Sequence, residues 1–185
     1  MLSGNALVSL ELVKEYLKID SDDSYNVLEA LIESATRKTE DYCSSYWIKR
    51  EVTETRIGDG TAYLYLYRLP VVDITSVTLD GDELVLDTDY EQRLSIGRLS
   101  RSAWDKDHEI IVTYTAGYLD YEDEAQAVIP EAVLAVLTTI ADWWNNPTGI
   151  LSQSITGIGA FNFEAELQLP GKAKAKLSSL RQRIL

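Results

Sequence analysis

Apolar positions follow two periods along this chain, and the change between them divides it into regions. From Ser9 to Asp20 they fall at helical spacing, with Leu12, Val13, Tyr16 and Leu17 on one face and Ser9 placed to accept a backbone N–H as N-cap. Asp22 or Asp23 can cap a second, longer helix to about Tyr46, whose apolar side is Val27, Leu28, Leu31, Ile32, Ala35, Tyr42 and Cys43. Between Lys49 and Thr115 the period becomes two. Glu51–Ile57 and Ala62–Tyr67 flank Gly58-Asp59-Gly60, which has hairpin chemistry. Ile74–Leu79 and Glu83–Leu86 flank the Asp80-Gly81 turn, and Tyr90–Arg93 and Arg98–Leu99 are shorter strand candidates. Tyr63, Tyr65 and Tyr67 alternate with Leu64 and Leu66, so this strand has an aromatic and an aliphatic face. The pattern predicts a small antiparallel sheet or sandwich.

The run Glu109–Tyr114 is β-branched and aromatic and reads as another strand. Gly117 can supply a positive φ for a sharp exit from it. After the acidic stretch Asp120–Glu124, Pro130 suits a first helical turn and Glu131 complements the helix dipole. Val133, Leu134, Leu137, Ile140, Ala141 and Trp144 then recur at helical spacing, and Pro147 disfavours helix at Asn146. Residues 148–169 are polar and Gly-containing, with alternation returning in Ala160–Glu166. Leu169-Pro170-Gly171 precedes a last basic helix with Leu177, Leu180 and Ile184 on one face.

Three segments carry a family resemblance: the opening helix 9–20, the run from Val112-Thr-Tyr-Thr-Ala-Gly-Tyr118 to Ile129-Pro-Glu131, and the closing 167–185 with its leucine-proline, leucine and arginine positions. Together they resemble the head–tail connector (adaptor) family of long-tailed bacteriophages and prophages. The resemblance implies an α+β fold: a helical bundle with an inserted small antiparallel β-rich subdomain and an extended C-terminal tail. Residues 1–48 and 116–147 would form the helical connector core, 49–115 the β-rich insertion, and 148–185 a flexible loop and C-terminal docking helix. It further implies a structural adaptor that sits in the virion at the head–tail interface after assembly in the bacterial host cytoplasm. Such a protein forms a ring, dodecameric when assembled and monomeric at times in isolation, between the portal protein and a stopper or tail-completion protein. DNA passes through its channel without specific binding.

On this reading Lys172, Lys174, Lys176, Leu177, Leu180, Arg181, Arg183 and Ile184 are expected to dock on the portal, the leucines and isoleucine in an apolar groove and the cations on acidic surface. Trp143 and Trp144 lie about 100° apart on their helix, so one can enter the core while the other meets a neighbouring subunit.

Composition narrows the alternatives. The chain has 185 residues, 45% of them hydrophobic, which suffices for a core. No apolar run is long enough to span a bilayer, and no membrane partner is expected. The net charge is −13, yet residues 172–185 hold five basic residues and no acidic one. So acidic a body is a poor grip for a polyanion, although it can line a conduit that DNA slides through. His108 is the single histidine and Cys43 the single cysteine, which leaves no Ser–His–Asp triad and no zinc ligand set. Cys43 reads as an inert buried thiol. The acidic clusters at 20–23, 80–83 and 120–124 lack the ligand spacing of a calcium loop, and Gly157-Ile-Gly159 lacks the rest of a nucleotide fingerprint. No catalytic residue, cofactor or metal is expected. Two rivals to the adaptor remain: a β-rich, tail-associated ligand-binding module using Tyr63, Tyr65 and Tyr67 as a platform, and a carboxylate-based hydrolase.

Overall fold

The computed structural model describes residues 2–20, 25–146 and 168–181, and it is an α+β fold. Two compact units divide the chain, one made of Met1–Tyr42 with Tyr121–Leu180 and one centred on Cys43–Asp120.

The first unit is helical. Helix α1 (Leu10–Leu17) starts where Ser9 Oγ accepts the Leu12 N–H at 3.2 Å, and it stops at Lys18, whose left-handed backbone (φ 57°) lets its N–H reach the Glu15 carbonyl. Val13 is its buried residue, whereas Tyr16 is 46% exposed. Helix α2 (Tyr25–Cys43) turns Leu28, Ile32 and Ala35 inward. Val27, expected on that face, is exposed, and the helix ends at Cys43, before the expected Tyr46. The Asp22 and Asp23 caps lie outside the described residues. A short 3-10 turn (Glu122–Glu124) and helix α3 (Ala125–Val128) lead into α4 (Pro130–Asn145), which has Pro130 in its first turn. The α4 helix contacts α1, α3 and the final helix α5 (Gly171–Leu177).

Being packed on several sides, α4 buries more than one stripe: Ala132, Val133, Val136, Leu137 and Ile140 are all inside. Leu134, assigned to the core by spacing, is 46% exposed instead. Small Ala132 and Ala135 lie inside where neighbouring segments come close. The segment before α1 also belongs to this core. Ala6, Leu7 and Val8 are buried, Ser3 bonds through its N–H and hydroxyl to Glu33, and the Leu7 N–H reaches Thr36 Oγ1 at 3.3 Å.

The second unit holds two antiparallel sheets. One has the strand order β1 (Arg50–Ile57), β7 (Glu109–Ala116), β3 (Val71–Leu79), β4 (Asp82–Glu83); the other has β2 (Tyr63–Tyr65), β6 (Arg98–Ser100), β5 (Glu91–Arg93). Their shared core contains Leu64, Leu66, Val77, Leu99, Trp104 and Val112. The Asp80-Gly81 hairpin forms as expected, with Leu79 opposite Asp82. The expected hairpin across Gly58-Asp59-Gly60 does not form. β1 pairs with β7 along its whole length, from Arg50 opposite Ala116 to Ile57 opposite Glu109, and β2 pairs with β6 in the other sheet. Eight rungs against a central strand whose alternate residues Ile110, Val112 and Tyr114 are fully buried outweigh what three-residue β2 can offer. The glycine-flanked stretch becomes a loop in which Asp59 accepts the Thr61 N–H at 2.8 Å and the Gly60 N–H reaches the Trp104 carbonyl. At the other end of β7, Gly117 has φ 140°, and a Cβ there would lie 2.6 Å from Lys49 Cα, so only glycine fits that exit.

Candidate functional site

Helix α5 carries most of the basic residues singled out for docking. Lys172 is exposed, Lys174 and Lys176 are half-buried, and Ala173 and Leu177, four positions apart, are buried. The last-turn lysines complement the helix C-terminus. Trp143 is buried as well, and its Nε1–H donates to the Gln168 carbonyl at 3.1 Å, pinning the approach to α5 onto α4. Trp144, about 100° round the helix, stays half-exposed. One tryptophan thus goes inward and the other outward.

The helix is shorter than expected. It ends at Leu177, and residues 178–180 form a turn in which Leu180 is half-exposed. Leu177 is fully buried in its own unit, so the apolar side of α5 is already occupied by this chain. The cationic side is left outward. Arg181 comes after the turn and is exposed, while Arg183 and Ile184 lie outside the described residues.

In the β-rich unit the aliphatic and aromatic faces of the Tyr63–Tyr67 stretch separate as expected. Leu64 and Leu66 are buried, and Tyr63 and Tyr67 are about half exposed. Arginines stack on these rings: Arg98 lies 4.7 Å from the centre of Tyr63 and Arg56 lies 3.9 Å from that of Tyr67.

A buried polar cluster lies behind them. The Tyr114 hydroxyl donates to Glu54 Oε1 and accepts the Arg68 N–H at 3.1 Å. The Glu54 carboxylate also accepts the Tyr67 N–H at 3.0 and 3.2 Å, and Arg56 approaches it at 3.9 Å. Burial, then the bond to Glu54, pushes the Tyr114 phenol far above its ordinary range, so it remains a neutral donor. The cluster ties β1 and β7 to the stretch after β2. Its polar groups satisfy one another within the chain, which suits a structural clamp better than a reacting centre.

His108 and Asp80 pair at the β3–β4 turn through Nδ1 and Oδ2, and Asp80 Oδ1 accepts the Glu109 N–H at 2.9 Å. The hydrogen bond raises the His108 pKa and lowers that of Asp80. Both side chains are about half exposed, and among the described residues no third group of a hydrolytic triad joins them. Burial pushes the Cys43 thiol up to about 12, against a weaker pull from Arg181, so it is an unreactive thiol at neutral pH. Among the described residues no cluster of three or more His, Cys, Asp or Glu is placed to hold a metal ion, and no helix is long and apolar enough to cross a membrane.

Beside the small sheet, Arg98, Ser100 and Arg101 line a cavity of about 530 Å³ that the hydropathy pattern does not announce. A short strand at Arg98–Leu99 was legible in the sequence, but it extends to Ser100, and the surroundings of Arg98 and Ser100 depend on pairing with β2 and β5.

Solved structures share this fold. The chain aligns over its full length, at 15% identity and a TM-score of 0.68, with a protein covered to 94% in the neck of an empty gene transfer agent (GTA) particle computed with C6 symmetry. A component of the virion of a native GTA particle gives 15% identity and a TM-score of 0.66, again with 100% and 94% coverage. One from the neck of a native GTA particle computed with C12 symmetry gives 16% and 0.62 at the same coverage. No curated protein sequence matches the chain. A family model described as head completion protein matches residues 6–178, which includes the N-terminal segment, both units and α5. The chain belongs to the head completion protein family.

Proposed function

We propose that this protein is a structural component of the neck of a phage-like particle, added at the head–tail interface to complete the head. The family match over residues 6–178 carries the reading. The shared fold with proteins of GTA necks supports it. In the proposed arrangement, copies of the chain stand as a ring between a portal and a stopper or tail-completion protein, and DNA passes through the middle. Ring contacts of this kind are heterologous and close by rotation, so a template such as the portal can drive assembly that free subunits do not complete.

Residues 1–48 and 116–147 would form the ring body, 49–115 the inserted β-rich part, and 148–185 the portal-facing end. Docking would use the cations of α5 and of the C-terminal residues beyond it, namely Lys172, Lys174, Lys176, Arg181 and Arg183, against acidic portal surface. Leu177, buried on α4, would hold α5 in place, and Leu180 and Ile184 are the apolar groups left for a groove. Trp144 is the proposed subunit contact, with Trp143 anchoring the helix that presents it. The net charge of −13 suits a conduit that does not hold DNA. Its work is mechanical, without enzymatic turnover.

Co-sedimentation tests the reading. Purified protein mixed with portal-bearing heads that lack tails should travel with the heads, and not with capsids assembled without portal. Equal binding to both, or to neither, would overturn it.

A further inference from the structure

We propose that the outward face of the three-stranded sheet is a docking pocket for an acidic side chain of another polypeptide, with Arg98 and Arg101 as its receptors. In this sheet Tyr63 and Glu91 both stand opposite Ser100, and Arg98 lies two residues before Ser100 on the same strand. Side chains two apart share a face, so Tyr63, Glu91, Arg98 and Ser100 lie on one side. The opposite side carries Leu64 and Leu99 into the core. Arg101 and the loop at 87–90 complete the walls of the 530 Å³ cavity.

The two guanidinium groups are the reason to assign a ligand. Arg98 Nε, Arg101 Nε and Arg101 Nη1 are buried without an acceptor among the described residues, as is the indole Nε1 of Trp104. Arg98 stacks on Tyr63, and Arg101 lies 5.5 Å from the Trp104 ring centre. Neither arginine has an ion-pair partner among the described residues. These ring contacts hold the two guanidinium groups but leave N–H donors unused, and an arginine is best satisfied by a planar, bidentate acceptor. A carboxylate has that shape.

The rest of the lining decides between anions. Asp87, Asp89 and Glu91 share the cavity with the arginines, so a phosphate, and still more a DNA backbone, would bring further negative charge among three carboxylates. A peptide bearing one Asp or Glu brings a single charge to the arginines, and its flanking backbone N–H groups can meet the neighbouring carboxylates. The Arg and Tyr residues of this lining are also of types that dominate binding energy between proteins. Such a pocket would operate whether or not the chain closes into a ring.

The test is a side-chain and amide NMR titration of the full chain with three probes. These are a glycine/serine-flanked peptide bearing one Glu, the same peptide with Gln, and inorganic phosphate. The Glu peptide should shift the Arg98 and Arg101 N–H signals saturably, at least tenfold more tightly than the Gln peptide. R98Q, R101Q and the double variant should lose that response while keeping the remaining amide spectrum. Equal response to the Gln peptide, an equal or stronger response to phosphate, or no response to the Glu peptide at about 10 mM would each overturn the proposal. Should the double variant not fold, the comparison of probes on the unaltered protein still decides.

Discussion

Replacing Tyr114 with Phe removes one oxygen from the β-rich unit and two hydrogen bonds with it. The ring still fills its fully buried site, so no cavity opens. Lost are the donation to Glu54, a charge-assisted bond of about 1.5–3 kcal/mol, and the acceptor for the Arg68 N–H. The second loss counts for less, about 0.5–1 kcal/mol, because that N–H is only partly buried and water can substitute. Glu54 is not orphaned, since the Tyr67 N–H and the nearby Arg56 remain. The expected destabilisation is therefore about 2–4 kcal/mol, or a Tm lower by about 5–15 °C for a chain of this size. Urea unfolding followed by tryptophan fluorescence measures it, and a double-mutant cycle with Glu54→Gln isolates the pair, with an expected coupling above about 1 kcal/mol. A loss below about 0.5 kcal/mol, or independent effects of the two changes, would refute the clamp.

Four further outcomes are expected. The raised His108 pKa makes its pair with Asp80 contribute stability fully below the unfolded histidine value near 6.5, lost as pH rises through the folded one. The depressed Asp80 pKa makes its own contribution present above about 4 and lost in acid, so H108Q should flatten the stability difference between about pH 5 and 8, read by thermal scans. L177A should destabilise the chain by about 2–5 kcal/mol if α5 belongs to the core, whereas K172A/K174A/K176A should leave Tm within about 2 °C and weaken attachment to portal-bearing heads. G117A should lower stability by more than about 1 kcal/mol in the same scans, because the added Cβ meets the Lys49 backbone at 2.6 Å. Fluorescence anisotropy should find duplex DNA bound no more tightly than about micromolar at physiological salt; a submicromolar, sequence-specific complex would contradict the charge argument.

Elements with strong local signals were legible. The Ser9 cap, Pro130 in the first turn of α4, the Asp80-Gly81 hairpin and the strand ending at Gly117 each rest on a few adjacent residues, and each stands where expected. Features that depend on distant partners were not. Nothing near Ile57 says that β1 will prefer β7, some sixty residues away, to the strand beyond its own glycine loop. Leu134 follows the helical period yet is exposed, while the small Ala132 and Ala135 near it are buried. Ala6, Leu7 and Val8 are too short a run to show periodicity, and only α2 gives them a place. For the site, the lysines of α5 show in the sequence as a basic run, but the burial of Leu177 against its own unit is a packing outcome. The Arg98–Arg101 cavity is assembled from three strands and a loop, so no local motif announces it.

The proposed ring of this chain at the portal of a head is tested by cryo-electron microscopy of tail-less, portal-bearing heads, prepared with and without the protein. The expected result is one added ring beneath the portal, with a helical unit and a two-sheet unit in each subunit and an open axial channel. Heads whose portal vertex is unchanged by the protein, or density that plugs the channel or lies elsewhere on the capsid, would contradict it.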